Sequence, residues 1–223
     1  MAKQFTMTGK IWPFLCTLLI SCAYSEKPPL RLATQSPSNA YEVLLEEQAD
    51  ISGDPFFTKH GHHEVRLTAR KEGHTIIEKE LLYSGGTYDE RFQDLFPGHE
   101  WISDSALRFG QSGTGPQKGD ELVVHNETNG TLPYLLVRAG KYEMFLLLDL
   151  APKSTARLAT ASQSDGRNDS TYVSCKGVLQ GGNHIPAIGR NFEIRGKDRV
   201  PGHYAVTVVD GNVLITSQEF PTR

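Results

Sequence analysis

The 223-residue chain is poor in cysteine, with only Cys16, Cys22 and Cys175. The first two fall inside what reads as an export signal, which leaves Cys175 as the one thiol of the mature part. No internal disulfide framework can form there, so the fold must rest on an apolar core and cannot be a stapled secreted mini-protein. Long hydrophobic runs are missing too. The apolar run Ile11 to Ile20 is 10 residues long, about half of the roughly 20 that a membrane-crossing helix needs. Charge of one sign is absent as well: 23 Lys and Arg stand against 26 Asp and Glu, a net −3. The clustered basic surface of a nucleic-acid binder is therefore not expected. The chain has no Gly-x-Ser-x-Gly elbow, and no glycine loop that leads into a helix able to hold a phosphate.

What is present begins with the N-terminus. Lys3 and Lys10 precede the apolar run, and Ser21-Cys22-Ala23-Tyr24-Ser25-Glu26 follows it. A basic region, a short apolar region and small residues at a cut form the layout of a secretory signal over residues 1–25. Two cleavages fit. Ala23-Tyr24-Ser25 places small residues where a general signal peptidase reads them, giving a mature start at Glu26. Leu19-Ile20-Ser21-Cys22 resembles a bacterial lipobox, in which Cys22 becomes a lipidated first residue and the only link to a membrane. Either way the protein is expected outside the cytoplasm: periplasmic, lipid-anchored or secreted.

Residues 26–39, with Lys27-Pro28-Pro29 and Ser36-Pro37-Ser38-Asn39, read as a tether ending in a tight turn. Tyr41 to Glu46 reads as the first strand. Glu64 to Arg70 alternates strictly, Val65, Leu67 and Ala69 against charged or polar neighbours, as a half-buried strand does. After the turn at Lys71-Glu72-Gly73, Thr75 to Tyr83 is its hairpin partner, with Ile77, Leu81 and Tyr83 expected on one face. Thr87-Tyr88-Asp89-Glu90 has capping-box spacing, and Pro97-Gly98 would stop the one short helix. Trp101 to Phe109 reads as strand, turn and strand.

The glycine-rich segment 110–119 coincides with a change in charge balance: residues 26–116 are net −6 and residues 117–223 net +1. It is read as a linker between an N-terminal β domain, 40–109, and a C-terminal one, 120–217. The second half is a succession of short strands. Phe145-Leu146-Leu147-Leu148 is apolar on both faces, as in a strand covered on both sides, and Asp210-Gly211 is a two-residue hairpin signal. The strand count and spacing suggest an immunoglobulin-like antiparallel sandwich, and the runs Val124 to Thr128, Tyr134 to Val137 and Leu148 to Pro152 resemble bacterial extracytoplasmic domains of that shape. The expected fold class is thus mainly β, in two small domains, the N-terminal one carrying the helix.

For chemistry, the densest group is His60-Gly61-His62-His63-Glu64. In an extended segment His60 and His62 point the same way and with His63 could hold Zn²⁺ or Cu²⁺, provided that other ligands such as His74, His99 or Glu100 come near. Asp89, Glu90, Asp94, Glu100 and Asp104 surround Trp101 and Phe96, but capping and turn roles account for most of them, so a glycosidase pair is not expected. Ser112 lacks the context of a nucleophile, and Cys175 reads as a buried strand residue beside Val173. The sequons at Asn126, Asn129 and Asn168 read as Asx turns, and segments 162–168 and 180–190 as polar contact loops. The expectation is an exported protein with a non-catalytic binding or structural role and an unidentified protein or envelope partner, with no resident cofactor. The alternative is a metal-binding protein or metal-dependent hydrolase built on His60, His62 and His63.

Overall fold

The computed structural model describes residues 31–50, 62–85, 98–110, 121–139, 143–159, 170–193 and 203–218. They are almost entirely strand, with no helix among the described residues. In chain order the strands are β1 (Arg31–Gln35), β2 (Tyr41–Asp50), β3 (His62–Lys71), β4 (His74–Gly85), β5 (His99–Ser103), β6 (Ala106–Gly110), β7 (Glu121–Asn126), β8 (Leu132–Ala139), β9 (Glu143–Leu150), β10 (Ser154–Ala159), β11 (Ser170–Val178), β12 (His184–Glu193), β13 (His203–Val209) and β14 (Asn212–Gln218). The capping-box segment expected to be helical, the N-terminal signal with Cys22, and most of the glycine-rich segment lie outside the described residues.

Turn chemistry sets several of the hairpins. Asp210 and Gly211 both have positive φ, 46° and 79°, as a type I′ turn requires, and β13 and β14 then pair without a register shift from Val209↔Asn212 to His203↔Gln218. Glu72 and Gly73 do the same between β3 and β4. The expected tether is in part a strand: β1 pairs with β2 through a turn in which Asn39 has φ 60° and the Ser36 hydroxyl accepts from the Tyr41 amide at 3.1 Å. Proline near the start of this segment suggested a spacer, whereas Arg31 to Gln35 carries no backbone-breaking residue.

Alternation holds in β3, where Val65, Leu67 and Ala69 are fully buried. It breaks in β4. Ile77 and Leu82 are buried while Leu81 is 37 % exposed, because three register shifts interrupt the β3–β4 ladder and Lys79 has φ 50°. Each extra residue exchanges the faces of everything beyond it, so the expected grouping of Leu81 with Ile77 does not hold.

The strands form three stacked sheets. The first is the meander β1-β2-β3-β4; the central sheet has the order β12-β11-β8-β9-β6-β5; the third has the order β10-β7-β13-β14. All pairings are antiparallel except β7 with β13. One face of the central sheet, with Leu107, Phe109, Leu136, Met144, Leu146 and Leu148, packs on Val43, Leu45, Val65, Leu67 and Ile77 of the first sheet. Its other face, with Leu135, Val137, Phe145, Leu147, Val173 and Cys175, packs on Leu122, Val124, Tyr204, Val206, Val208 and Ile215 of the third. β9 lies between two cores, and every residue from Glu143 to Leu148 is buried, as its doubly apolar sequence predicts.

Two features of the strand pairing bear on the expected domains. β6, before the glycine-rich segment, is hydrogen-bonded to β9, after it, with Leu107 opposite Leu146. The expected boundary at 110–119 therefore does not separate two independent sheets. The strand order also differs from the immunoglobulin arrangement, in which the first two strands share a sheet: here β7 pairs with β10 and β13, and β8 lies in the other sheet. Strand count and turn spacing are local properties, and they do not encode which strands pair.

Candidate functional site

Among the described residues, the sheets bring ionisable side chains together in several places, and the larger groups are these. Between the first and central sheets, Glu80 on β4 accepts from the Lys176 ammonium on β11 at 2.7 Å and from the Tyr134 hydroxyl on β8 at 3.1 Å. Lys176 also donates to the Leu81 carbonyl. Burial disfavours the charged form of Glu80, but Lys176, Tyr134 and the nearby His184 outweigh it, and the net effect holds the carboxyl below its ordinary range. Burial, reinforced by Glu80, raises the Tyr134 phenol and keeps its proton on.

A second group joins the same two sheets further along. Asp149, held at φ 50° near the end of β9, accepts from Lys71 at 2.7 Å and from the Tyr41 hydroxyl at 2.9 Å. Its hydrogen bond raises Lys71, while burial and then Asp149 raise Tyr41. In the third group, Arg108 on β6 is paired with Glu100 on β5 and approaches the buried Glu143 at 3.8 Å. The fourth is on the outer face of the third sheet, where Glu121 faces His203 at 2.6 Å and Arg157 at 2.9 Å. In each group a carboxylate is matched by cations on neighbouring strands or on the facing layer. Such matched pairs fasten strands, and at Glu80 the partners favour the charged carboxylate.

Of the residues singled out in the sequence, some are described and others lie outside the described residues. His60 lies outside the described residues, and His62 and His63 open β3 opposite Asp50 and Ala49. His74 pairs with Lys71 at the other end of that strand, about 30 Å away at the rise of an extended chain, so it cannot share an ion with His62. His99 begins β5, and Glu100 is occupied by Arg108. Among the described residues no three His, Cys, Asp or Glu side chains are placed to hold a metal ion. Asp89, Glu90, Asp94 and Ser112 lie outside the described residues. Asp104 accepts from the Ser38 amide at 2.8 Å, a turn role. Cys175 is buried beside Val173 in the core, and burial pushes its thiol up to about 12, so it stays protonated and unreactive at neutral pH.

Sequence reasoning missed one strand, and it expected an Asx turn at Asn126 without its burial or its distant partners. Segment 180–190, expected as a polar loop, is largely the edge strand β12, paired with β11 with one register shift between Cys175 and Gly177; its glycines and Pro186 concealed it. Asn126 is fully buried. Its amide nitrogen is shared among the carbonyls of Gly130, Leu150 and Ala151, each at 2.9 Å, and its oxygen accepts from the amide and hydroxyl of Thr128. The sequon thus encodes an Asx turn that locks the β7–β8 and β9–β10 connections, and the Asn126 nitrogen is not available to a glycan. The spacing Asn-x-Thr was the available signal, although burial was not legible in it.

No protein-family model, curated protein or solved structure matches the chain.

Proposed function

We propose that the protein is exported from the cytoplasm and acts outside it as a binding or structural component without catalysis, with a protein or envelope component as its partner. The observation that carries the reading is how the part-buried charges are spent. Glu80, Lys176, Tyr134, Asp149, Lys71 and Tyr41 bind one another across the two facing sheets, which makes a rigid stack whose strand edges and outer faces remain for contact. Export rests on the N-terminal layout: two lysines, a ten-residue apolar run and small residues before Glu26.

The metal reading, with Zn²⁺ or Cu²⁺ on His60, His62 and His63, supplies the decisive test. Metal content of the purified mature protein is expected to be far below one ion per chain. Stoichiometric zinc or copper that disappears in the double variant His60→Ala, His62→Ala would replace the binding reading with the metal one. Mass spectrometry of the mature N-terminus tests export and anchoring together. A start at Glu26 gives a freed protein, a diacylated Cys22 gives an anchored one, and an intact Met1 start overturns export.

A further inference from the structure

Among the described residues, the first sheet covers only part of the central one. β4, its last strand, meets β8 through Tyr134 and β11 through Lys176, which donates to the Glu80 carboxylate at 2.7 Å and to the Leu81 carbonyl. Past β4, the same face of β11 and β12 forms the floor of a step, with β4 as its wall. Tyr172, Ser174 and Lys176 share this face, because Val173 and Cys175 between them point into the opposite core. Gly189 and His184 of β12 share it too, since they stand opposite Ser174 and Val178, and Val178 packs on the core with the first sheet.

Tyr172 lies across this floor. A Cβ at residue 189 would collide with the Tyr172 hydroxyl and ring, so the ring rests on the bare backbone of β12, an approach that only glycine allows. Tyr172 is nonetheless 40 % exposed, and Gly189 is exposed beside it, so the side of the ring away from the strand meets solvent. Further along the step the groups are polar and of both kinds. Glu80 and Leu81 take two of the three Lys176 N–H groups, which leaves one among the described residues. Ser174 adds a hydroxyl and His184 an imidazole, while Lys176 and Glu80 neutralise each other.

We infer that this step binds a neutral oligosaccharide, with one sugar ring stacked on Tyr172 and the hydroxyls of the following rings on Ser174 and Lys176. This rests on the binding reading above and names the class of partner. A sugar suits the site because a pyranose offers an apolar C–H face to an aromatic ring and hydroxyls that both donate and accept. An ionic ligand meets no net charge, since the ion pair is matched internally, and an apolar peptide side chain meets no pocket in a floor of serine and glycine. Tyr172 and Lys176 are four residues apart, about 13 Å along the strand, which exceeds one sugar ring and calls for a chain of them.

The test is titration of the isotope-labelled mature full-length protein, followed by its amide chemical shifts, with cellotetraose, chitotetraose and mannotetraose, and with tetragalacturonate as a charged comparator. Each is taken to about 10 mM, above the millimolar Kd of a shallow site. Binding of at least one neutral tetrasaccharide is expected, with the largest shifts at Tyr172, Ser174, Lys176 and Gly189. Tyr172→Ala should weaken it by about tenfold or more, and Tyr172→Phe, which keeps the ring, by no more than about threefold. Should Tyr172→Ala fail to fold, the shift map of the unaltered protein carries the test together with Ser174→Ala, which should weaken binding by about threefold or more. A ring that merely covers Gly189 would leave affinity unchanged in Tyr172→Ala, and that result overturns the inference. So does binding of none of the three neutral sugars, a shift map centred elsewhere, or a preference for tetragalacturonate. Such a failure leaves metal content and the mature N-terminus, which test the wider reading, as they were.

Discussion

Asn126 shows how a single side chain can organise several turns. Its carboxamide meets the carbonyls of Gly130, Leu150 and Ala151, of which Gly130 and Ala151 also accept from the Thr128 and Ser154 hydroxyls. Asn126→Ala removes the link among the three while leaving those two carbonyls a donor each, and about 1–2 kcal/mol of stability should be lost, measured as a lower urea midpoint at unchanged slope. Glu80 carries a pH dependence of definite sign. Its folded-state pKa lies below the ordinary 4.5, so the stability it contributes is fully present above that value and is lost as pH falls through the folded pKa. Glu80→Gln should lower neutral-pH stability by about 1 kcal/mol and flatten the acid limb of the stability–pH curve. Equal steepness in the variant would show that Lys176 and Tyr134 do not hold the charged form. Glu80 did not announce its partners in the sequence, because Tyr134 and Lys176 are 54 and 96 residues further along the chain; for Asn126 only Thr128 and Gly130 were local, and Leu150 and Ala151 are brought in by the fold.

Among the elements, the hairpins were the most legible. Asp210-Gly211 and Glu72-Gly73 specify their turns through φ alone, a local property. Gly211 has φ 79°, so Gly211→Ala should cost about 1 kcal/mol, seen as a lowered melting temperature with the fold retained. Strict alternation likewise identified β3. Legibility failed where the period changed. The register of β4 is irregular, and no residue type in Thr75 to Tyr83 marks where an extra residue is accommodated. β12 failed for a related reason: an edge strand needs few apolar residues, so its composition resembles that of a loop.

At the scale of the whole molecule, the central sheet is shared by both cores. Phe145 belongs to the core with the third sheet, while Leu146, its neighbour, belongs to the core with the first. Phe145→Ala should cost about 3–5 kcal/mol. It should also move the unfolding transition seen by Trp101, which bonds to Thr34 of the first sheet at 3.0 Å, as far as the transition seen by far-ultraviolet circular dichroism. A Trp101 signal that keeps its midpoint while the circular dichroism shifts would mean that the first sheet unfolds separately, as the linker reading of segment 110–119 implied.

The sequence by itself determined the strand-rich class, the position of most strands, the tight turns and the doubly buried character of β9, because periodicity, turn dihedrals and apolar runs act within a few residues. The tertiary structure decided that the strands stack in three layers, that β6 pairs with β9 across the glycine-rich segment, and that Glu80, Tyr134 and Lys176 converge from distant strands. Pairing between distant strands is chosen by the summed burial of whole faces, and no window of sequence contains that sum.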